Sequence, residues 1–207
     1  MVIGKGMTHM LKLDMHELRF CLLEGIFNTE PFSILVQYVD SENMAEVERF
    51  IDTMCTLVAE GALSVEYGQA PIRVDAPLRE LLGAYVTRRV ELGEHLSNWP
   101  EVCDEYEFTL TEKGSDWLLE QYSAAEEMGR QVVEMLEAYR REKGVYPKTL
   151  FDLASTSRQA VREPDSVCGC WWYRSGADGL SYRLGYVTYV GWSFFYDPAT
   201  NTWPAET

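Results

Sequence analysis

The feature that most constrains the fold of this chain is a proline-free segment, 115–143, with a single internal glycine, Gly129. Hydrophobic and small residues recur within it at alternating spacings of four and three positions: Leu118, Tyr122, Ala125, Gly129, Val132, Leu136 and Tyr139. This spacing places a continuous row of side chains along one side of an α-helix. The segment therefore predicts one long helix, buried along that side, which connects two parts of the chain in place of a flexible linker.

The residues before the long helix predict a mixture of short helices and strands. Asp14 and Glu17 form the Asp-x-x-Glu pattern that caps helix N-termini, so a helix is expected near 10–27. Gly61 predicts the end of another helix, whose apolar stripe consists of Val47, Phe50, Ile51, Met54 and Val58. Further helices are expected at 31–39 and after Asp75, and strands at 62–67 and 106–110.

Aromatic residues are concentrated near the C-terminal end, with eleven of them in the 33 residues of 171–203. Glycine-containing turns at 175–179 and 190–191 divide this region into three strands, which predicts a small antiparallel meander. One face of the sheet is expected to pack against the long helix. Three short strands have too little area to bury all these rings on one face, so the others either form an interface or are covered by the N-terminal part.

These patterns predict an α+β protein with two differently charged parts: a helical domain at 1–122, and a C-terminal helix-plus-sheet domain at 123–207. The first part has 22 acidic and 9 basic side chains, a net charge of −13, whereas the second has 11 and 9, a net charge of −2. An acidic field repels phosphate backbones and attracts basic surfaces. The imbalance predicts either a basic partner or a contribution to solubility alone.

The cellular compartment is predicted from the cysteines and from the lack of membrane signals. No run approaches the roughly 18 apolar residues of a membrane span, and residues 1–12 lack the apolar core of a secretion signal. The chain has five cysteines, an odd number, so reduced thiols are expected. We therefore expect a cytoplasmic protein that does not enter a membrane.

The order of helices and strands expected in residues 10–122 resembles that of a winged-helix domain. The resemblance includes a strand followed by the start of a helix, in the segment Tyr106-Glu107-Phe108-Thr109-Leu110-Thr111-Glu112-Lys113-Gly114. The resemblance implies that the helix ending at Gly61 occupies the recognition position and that strands near 63–66 and 106–110 form the wing. Residues 75–104 depart from the family by adding a helix and a loop between the wing strands.

The chemistry of the recognition position departs from the family as well. That helix offers Arg49 alone against four acidic side chains, Glu46, Glu48, Asp52 and Glu60. DNA readers need several Lys or Arg side chains for phosphates and matched polar side chains for base edges. Nucleic acid is therefore an unlikely partner, and a protein-binding scaffold is expected. An atypical winged-helix transcriptional regulator is the alternative.

Residues 128–203 resemble the soluble head of type II secretion pseudopilins. The matching features are the helix ending in Leu136-x-x-Tyr139, the segment Gly144-Val145-Tyr146-Pro147-Lys148-Thr149-Leu150, the strands at 171–173 and 182–184, and Phe195-Tyr196-Asp197-Pro198 before Trp203. Pseudopilins need an apolar N-terminal membrane helix, and here a charged helix takes that place. The resemblance thus implies the fold of the head without pilus assembly, because fold does not determine function.

Candidate chemical centres are few. Cys168-Gly169-Cys170 would need further ligands for zinc, but Cys21, Cys55, Cys103, His9, His16 and His95 are not paired at ligand spacing. Cys168 and Cys170 could instead form a redox pair. The favoured interpretation is that they are simply two small residues at the start of a strand. No nucleophile elbow, phosphate-binding loop or dinucleotide fingerprint occurs. We expect no catalytic residue, no metal and no cofactor.

The function expected is that of a non-enzymatic, intracellular protein-binding module. Its most concrete form is an immunity or inhibitor protein that neutralises a basic partner, such as a nuclease toxin. Candidate partner contacts are the acidic residues Asp104, Glu105 and Glu107 and the aromatic residues Trp192 and Trp203. The patterns leave the partner's identity and the oligomeric state open.

Overall fold

The computed structural model describes residues 14–27, 44–67, 70–71, 79, 106–157, 160–167, 170–189 and 191–206. The chain divides into two compact units, Met1–Leu118 and Leu119–Thr207. The division falls within the long helix, slightly before the boundary expected after Tyr122. Helices and antiparallel sheets occur together, which confirms the α+β class. None of the helices in the described ranges combines the length and the apolar character that crossing a membrane requires.

The described part of the N-terminal unit combines helices with a small sheet. Its elements are α1 (Met15–Phe27), α2 (Met44–Ala59), β1 (Leu63–Tyr67), β2 (Ala70–Pro71), β3 (Tyr106–Leu110) and the start of α3 (Glu112–Lys143). The strands pair antiparallel in the order β2-β1-β3. The helix expected at 31–39 lies outside the described residues, as does the one after Asp75 except for Arg79.

Helix α1 begins where its capping residues require. The backbone N–H of Glu17 donates to Asp14 Oδ1 at 2.9 Å, and the backbone N–H of Asp14 donates to Glu17 Oε2 at 2.6 Å. This reciprocal pair is a capping box, as the sequence predicts. The helix begins at Met15, directly after its capping residue Asp14, and residues 10–13 of the expected range lie outside the described residues.

Helix α2 buries the predicted stripe against the core of the unit. The stripe is buried from Val47 to Met54, but its last expected member, Val58, is only half-buried, and Leu57 takes the buried position. Gly61 ends the helix with a φ of 75°. The backbone N–H groups of Gly61 and Ala62 donate to the carbonyls of Val58 and Leu57 at 3.0 and 2.8 Å, which is the Schellman arrangement.

The start of α3 is tied to the end of α2. Thr111 caps α3 by accepting the backbone N–H of Gly114 at 3.2 Å, and its hydroxyl donates to the carbonyl of Gly61 at 2.7 Å. Lys113 Nζ donates to the carbonyl of Glu60 at 2.7 Å. A Cβ on Gly114 would lie 2.2 Å from the carbonyl oxygen of Ala62. The Thr-x-Lys-Gly segment therefore joins two helix ends, and each of these three residues has a separate physical role. 

The C-terminal unit contains the rest of α3 and a four-stranded sheet. Its other elements are α4 (Leu150–Ser157), β4 (Trp171–Ser175), β5 (Tyr182–Val187), β6 (Ser193–Phe195) and β7 (Ala205–Glu206). The strands are antiparallel in the order β4-β5-β6-β7. The first three lie in the regions where strands are expected. The sheet differs from the expected three strands by the addition of β7, which has only two residues.

The seam of α3 packs against the inner face of this sheet. Ala125, Val132 and Leu136 are buried, and the ring of Tyr122 lies 5.2 Å from that of Phe194. The long helix predicted from the alternating spacing is confirmed, and it begins at Glu112. On the sheet, the inner face presents Leu184 and Tyr186, both fully buried, so the apolar side chains of the two elements form one core.

Candidate functional site

The structure describes three of the five predicted partner contacts. Asp104 and Glu105 lie outside the described residues. Glu107 belongs to β3, where the register sets it opposite Glu66 of β1. Trp192 is half-buried at the start of the β6 region, and its backbone N–H donates to Thr188 Oγ1 at 3.1 Å.

Trp203 is a core residue of the C-terminal unit. It is only 5% exposed, and its ring lies 5.9 Å from that of Trp171 and 5.8 Å from that of Tyr186. Gly129 of α3 provides the space for it, since a Cβ there would lie 2.3 Å from Trp203 Cζ2. This placement corrects the expectation of an exposed ring: Trp203 is not a side chain that a partner reaches on the folded unit.

The exposed side of α2 is acidic within the described residues. Its exposed positions recur at helical spacing, and two of the five are acidic: Ala45, Glu48, Asp52, Thr56 and Ala59. Asp52 forms an ion pair with Arg79, and Glu60 accepts a hydrogen bond from Arg19 at 2.8 Å. The guanidinium groups of Arg79 and Arg19 are thus engaged with carboxylates, and Glu48 adds a further negative charge to this side.

The β1–β3 pairing concentrates acidic residues on the sheet of the same unit. Glu66 is exposed, and the register sets Glu107 directly opposite it. Like charges at directly opposed positions destabilise a sheet by a fraction of a kcal/mol up to about 1 kcal/mol. The register thus sets two acidic residues at opposed positions of β1 and β3.

The thiols and the possible metal ligands do not assemble a reactive centre in the described part of the chain. Burial, followed by the nearby Glu24 and Glu17 carboxylates, raises the pKa of the Cys21 thiol far above its usual value, and burial also raises the pKa of Cys55. No group of three His, Cys, Asp or Glu side chains in the described residues is placed to hold a metal ion. Cys168, His9 and His95 lie outside those residues.

A cluster of phenols holds the segment after α3 in place. Tyr146 donates its hydroxyl proton to Glu137 at 2.7 Å and accepts a hydrogen bond from Arg140 at 3.0 Å. Tyr173 donates to the carbonyl of Pro147 at 2.8 Å, and burial raises its pKa to about 12. Burial also raises the pKa of the neighbouring Tyr182. These phenols stay protonated near neutral pH, so they act as fixed hydrogen-bonding groups.

The outer face of the C-terminal sheet carries aromatic side chains, as one of the two interpretations of the sequence allowed, together with arginines that were not among the predicted contacts. The outer face is defined here as Trp172 and Arg174 on β4, Arg183 on β5, Phe195 on β6 and Glu206 on β7. The register sets Arg174 opposite Arg183 and aligns Trp172, Gly185 and Phe195 in one row across three strands. The signal was the alternation in 171–175 and 182–186, where every second residue points away from the buried face.

Two of the concavities among the described residues of the C-terminal unit adjoin these elements. A cleft of about 370 Å³ lies beside the outer face and is lined by Trp172, Arg174, Ser175, Gly176, Ala177, Ser181, Tyr182 and Arg183. A groove of about 660 Å³ runs along α3 and is lined by Met128, Gln131, Val132, Glu134, Met135, Ala138, Ala160 and Arg162. Both volumes are within the range of small-ligand sites. Only the cleft combines two cations with an exposed aromatic ring.

Comparison of the chain with protein-family models, with curated proteins and with solved structures finds no match. The functional proposal for this protein is therefore based on its residues and their geometry.

Proposed function

We propose that this protein is a non-enzymatic binding module whose acidic N-terminal unit docks against a basic surface of a partner protein. Its most specific form is an immunity or inhibitor protein that neutralises a basic partner such as a nuclease toxin. The observation that supports the proposal best is the concentration of negative charge in residues 1–122, which have 22 acidic and 9 basic side chains. The β1–β3 register sets two of the acidic residues, Glu66 and Glu107, at opposed positions. The acidic exposed side of α2 adds to the same surface charge.

The proposal gives each unit a fold that suits a scaffold. A winged-helix-like arrangement of the N-terminal unit is supported by the order of α1, α2, the antiparallel β1–β3 pair and α3. A pseudopilin-head-like arrangement of the C-terminal unit is supported by the helix that precedes an antiparallel sheet. The proposal also places the protein in the cytoplasm, where its thiols would remain reduced.

The rival proposal is an atypical winged-helix transcriptional regulator. We expect no retardation of duplex DNA at physiological salt, because the helix at the recognition position offers one half-buried cation, Arg49, to displace the counterions of phosphates. Fluorescence anisotropy with random-sequence and genomic duplexes, measured at two salt concentrations, tests this. Nanomolar binding that weakens steeply with salt would reject the protein-docking proposal and establish the regulator.

Reversing the charge of one acidic residue tests whether the acidity serves docking of a partner or solubility alone. The change Glu107→Lys should slow association with a captured basic partner at low salt by roughly ten-fold, and by less at high salt, because exposed charges steer encounter and are screened. Its effect on stability should be neutral or a gain of a few tenths of a kcal/mol, because it turns an opposed like-charged pair into an opposite-charged one.

The matched control is Glu120→Lys, an exposed position on α3 that makes the same change in net charge. Stopped-flow association and urea denaturation of both variants, with Asp104 and Glu105 reversed in a further variant, give the comparison. If the two single reversals slow association equally, the effect is one of net charge, and a localised docking surface is rejected. If neither slows it, the acidity serves solubility alone.

A further inference from the structure

We infer that the outer face of the C-terminal sheet is a second binding site, and that it takes an acidic peptide segment of a partner protein. The proposed function concerns acidic residues of the N-terminal unit, whereas this inference concerns basic residues of the C-terminal unit. Neither proposal depends on the other. The site has three parts: a fixed guanidinium, a second guanidinium opposite it, and an aromatic ring beside a cleft.

The fixed guanidinium is that of Arg183. It forms an ion pair with Glu206 and lies 3.9 Å from the centroid of the Phe195 ring. Phe195 reaches this position because Gly185 has no side chain: a Cβ on Gly185 would lie 2.4 Å from Phe195 Cδ1. A guanidinium held by a carboxylate and an aromatic ring is already oriented, so a ligand that binds it orders few side-chain rotamers.

The second guanidinium belongs to Arg174, directly opposite Arg183 in the register. Arg174 is exposed, and it takes part in none of the ion pairs found among the described residues. Two cations at opposed positions repel each other, and the single carboxylate of Glu206 offsets only one of them. A carboxylate bound between the two arginines would accept hydrogen bonds from both and remove that repulsion.

The third part is apolar. Trp172 is 39% exposed, its ring lies 5.2 Å from Phe195, and it lines the cleft of about 370 Å³ together with both arginines. An exposed tryptophan beside a concavity is a common anchor point at protein interfaces. The ligand that matches all three parts has a carboxylate for the arginines and an adjacent apolar or aromatic group for Trp172.

The charge of the whole protein selects a short peptide over a polyanion. Affinity for nucleic acid grows with the number of phosphates neutralised, and this face has two arginines, one of them already paired. The protein's formal net charge of −15 repels an extended polyanion or an anionic membrane more strongly than a segment with one or two carboxylates. An acidic peptide segment is therefore the favoured occupant.

The test uses the full-length protein and two fluorescent peptides, one alternating glutamate and phenylalanine, the other with glutamine in place of glutamate. We expect saturable binding of the first peptide with a dissociation constant below about 1 mM, and weaker binding of the second by at least about ten-fold. Arg174→Ala should weaken binding of the acidic peptide to a similar extent, and Arg174→Lys should weaken it less, because lysine keeps the charge without the planar fork.

The matched control is Arg130→Gln, which removes a guanidinium from α3, on the other side of the unit's core from the outer face. It should leave peptide binding unchanged, and circular dichroism should show all variants folded. Equal binding of the two peptides, equal binding by Arg174→Ala and the wild type, or no binding up to about 1 mM would overturn the inference. Tighter binding of a single-stranded oligonucleotide than of the acidic peptide would assign the face to nucleic acid and would also overturn it.

Discussion

Replacement of Trp203 by alanine is expected to lower the free energy of unfolding of the C-terminal unit by about 3–5 kcal/mol. The side chain is buried between Gly129 of α3 and the rings of Trp171 and Tyr186, so its loss leaves a cavity in the middle of the core. The matched control is Trp172→Ala, which removes the same side chain from the outer face and should cost about 1 kcal/mol or less. Urea denaturation monitored by near-UV circular dichroism measures both.

The contact between Trp203 and Gly129 allows a second test that Trp203 is buried against α3. Glycine in a helix is less favourable than alanine by about 1 kcal/mol, so Gly129→Ala should stabilise the protein if the position were open. A Cβ there would lie 2.3 Å from Trp203 Cζ2, so we expect destabilisation by about 1–3 kcal/mol instead. In the background Trp203→Phe, which lacks that ring atom, the cost should fall. Additive effects of the two changes would show that the residues do not contact each other.

Replacement of Gly114 by alanine is expected to destabilise the N-terminal unit by about 3 kcal/mol, at the upper end of overpacking effects. The added Cβ would lie 2.2 Å from the backbone carbonyl of Ala62, and a backbone atom cannot rotate away as a flexible side chain does. The separation of α2 from the start of α3 would also weaken the hydrogen bonds of Thr111 and Lys113. Hydrogen exchange of the α2 amides measures the effect directly, because their protection reports the opening of this unit.

The neighbouring change Ser115→Ala serves as the control for Gly114→Ala, since it places the same residue type in the same helical turn. It should alter the free energy of unfolding by less than about 0.5 kcal/mol. If the α2 amides of Gly114→Ala retain wild-type protection, the close approach of α3 to Ala62 is not a feature of the protein in solution.

The sequence predicted the elements whose signals are local and repeated. The alternating seam identified α3, the pair Asp14 and Glu17 identified the cap of α1, and Gly61 identified the end of α2. Each of these signals reflects a constraint within a few residues of the position it determines. The strand β7 had no such signal, because two residues are too few to show the alternation of a strand.

The surface of the C-terminal sheet was harder to predict, since it depends on which strands are neighbours. The net charge of −2 for residues 123–207 is a sum over the whole segment, so it gives no sign that two arginines lie opposite each other on one face of the sheet. Trp203 was a candidate partner contact because three short strands could not bury eleven aromatic rings on one face. The glycine at position 129 of the helix provides the missing space, and its effect is visible only once helix and sheet are packed together.

The hydrogen bonds that Thr111 and Lys113 make to the end of α2 join residues separated by 49 to 53 positions. Contacts at this separation form only after a long loop has closed, so we expect loop closure to slow the folding of the N-terminal unit. The entropy of closure rises by only about 0.6 kcal/mol for each doubling of loop length. A change in the number of residues between β2 and β3 would therefore alter the entropy of closing this loop only slightly.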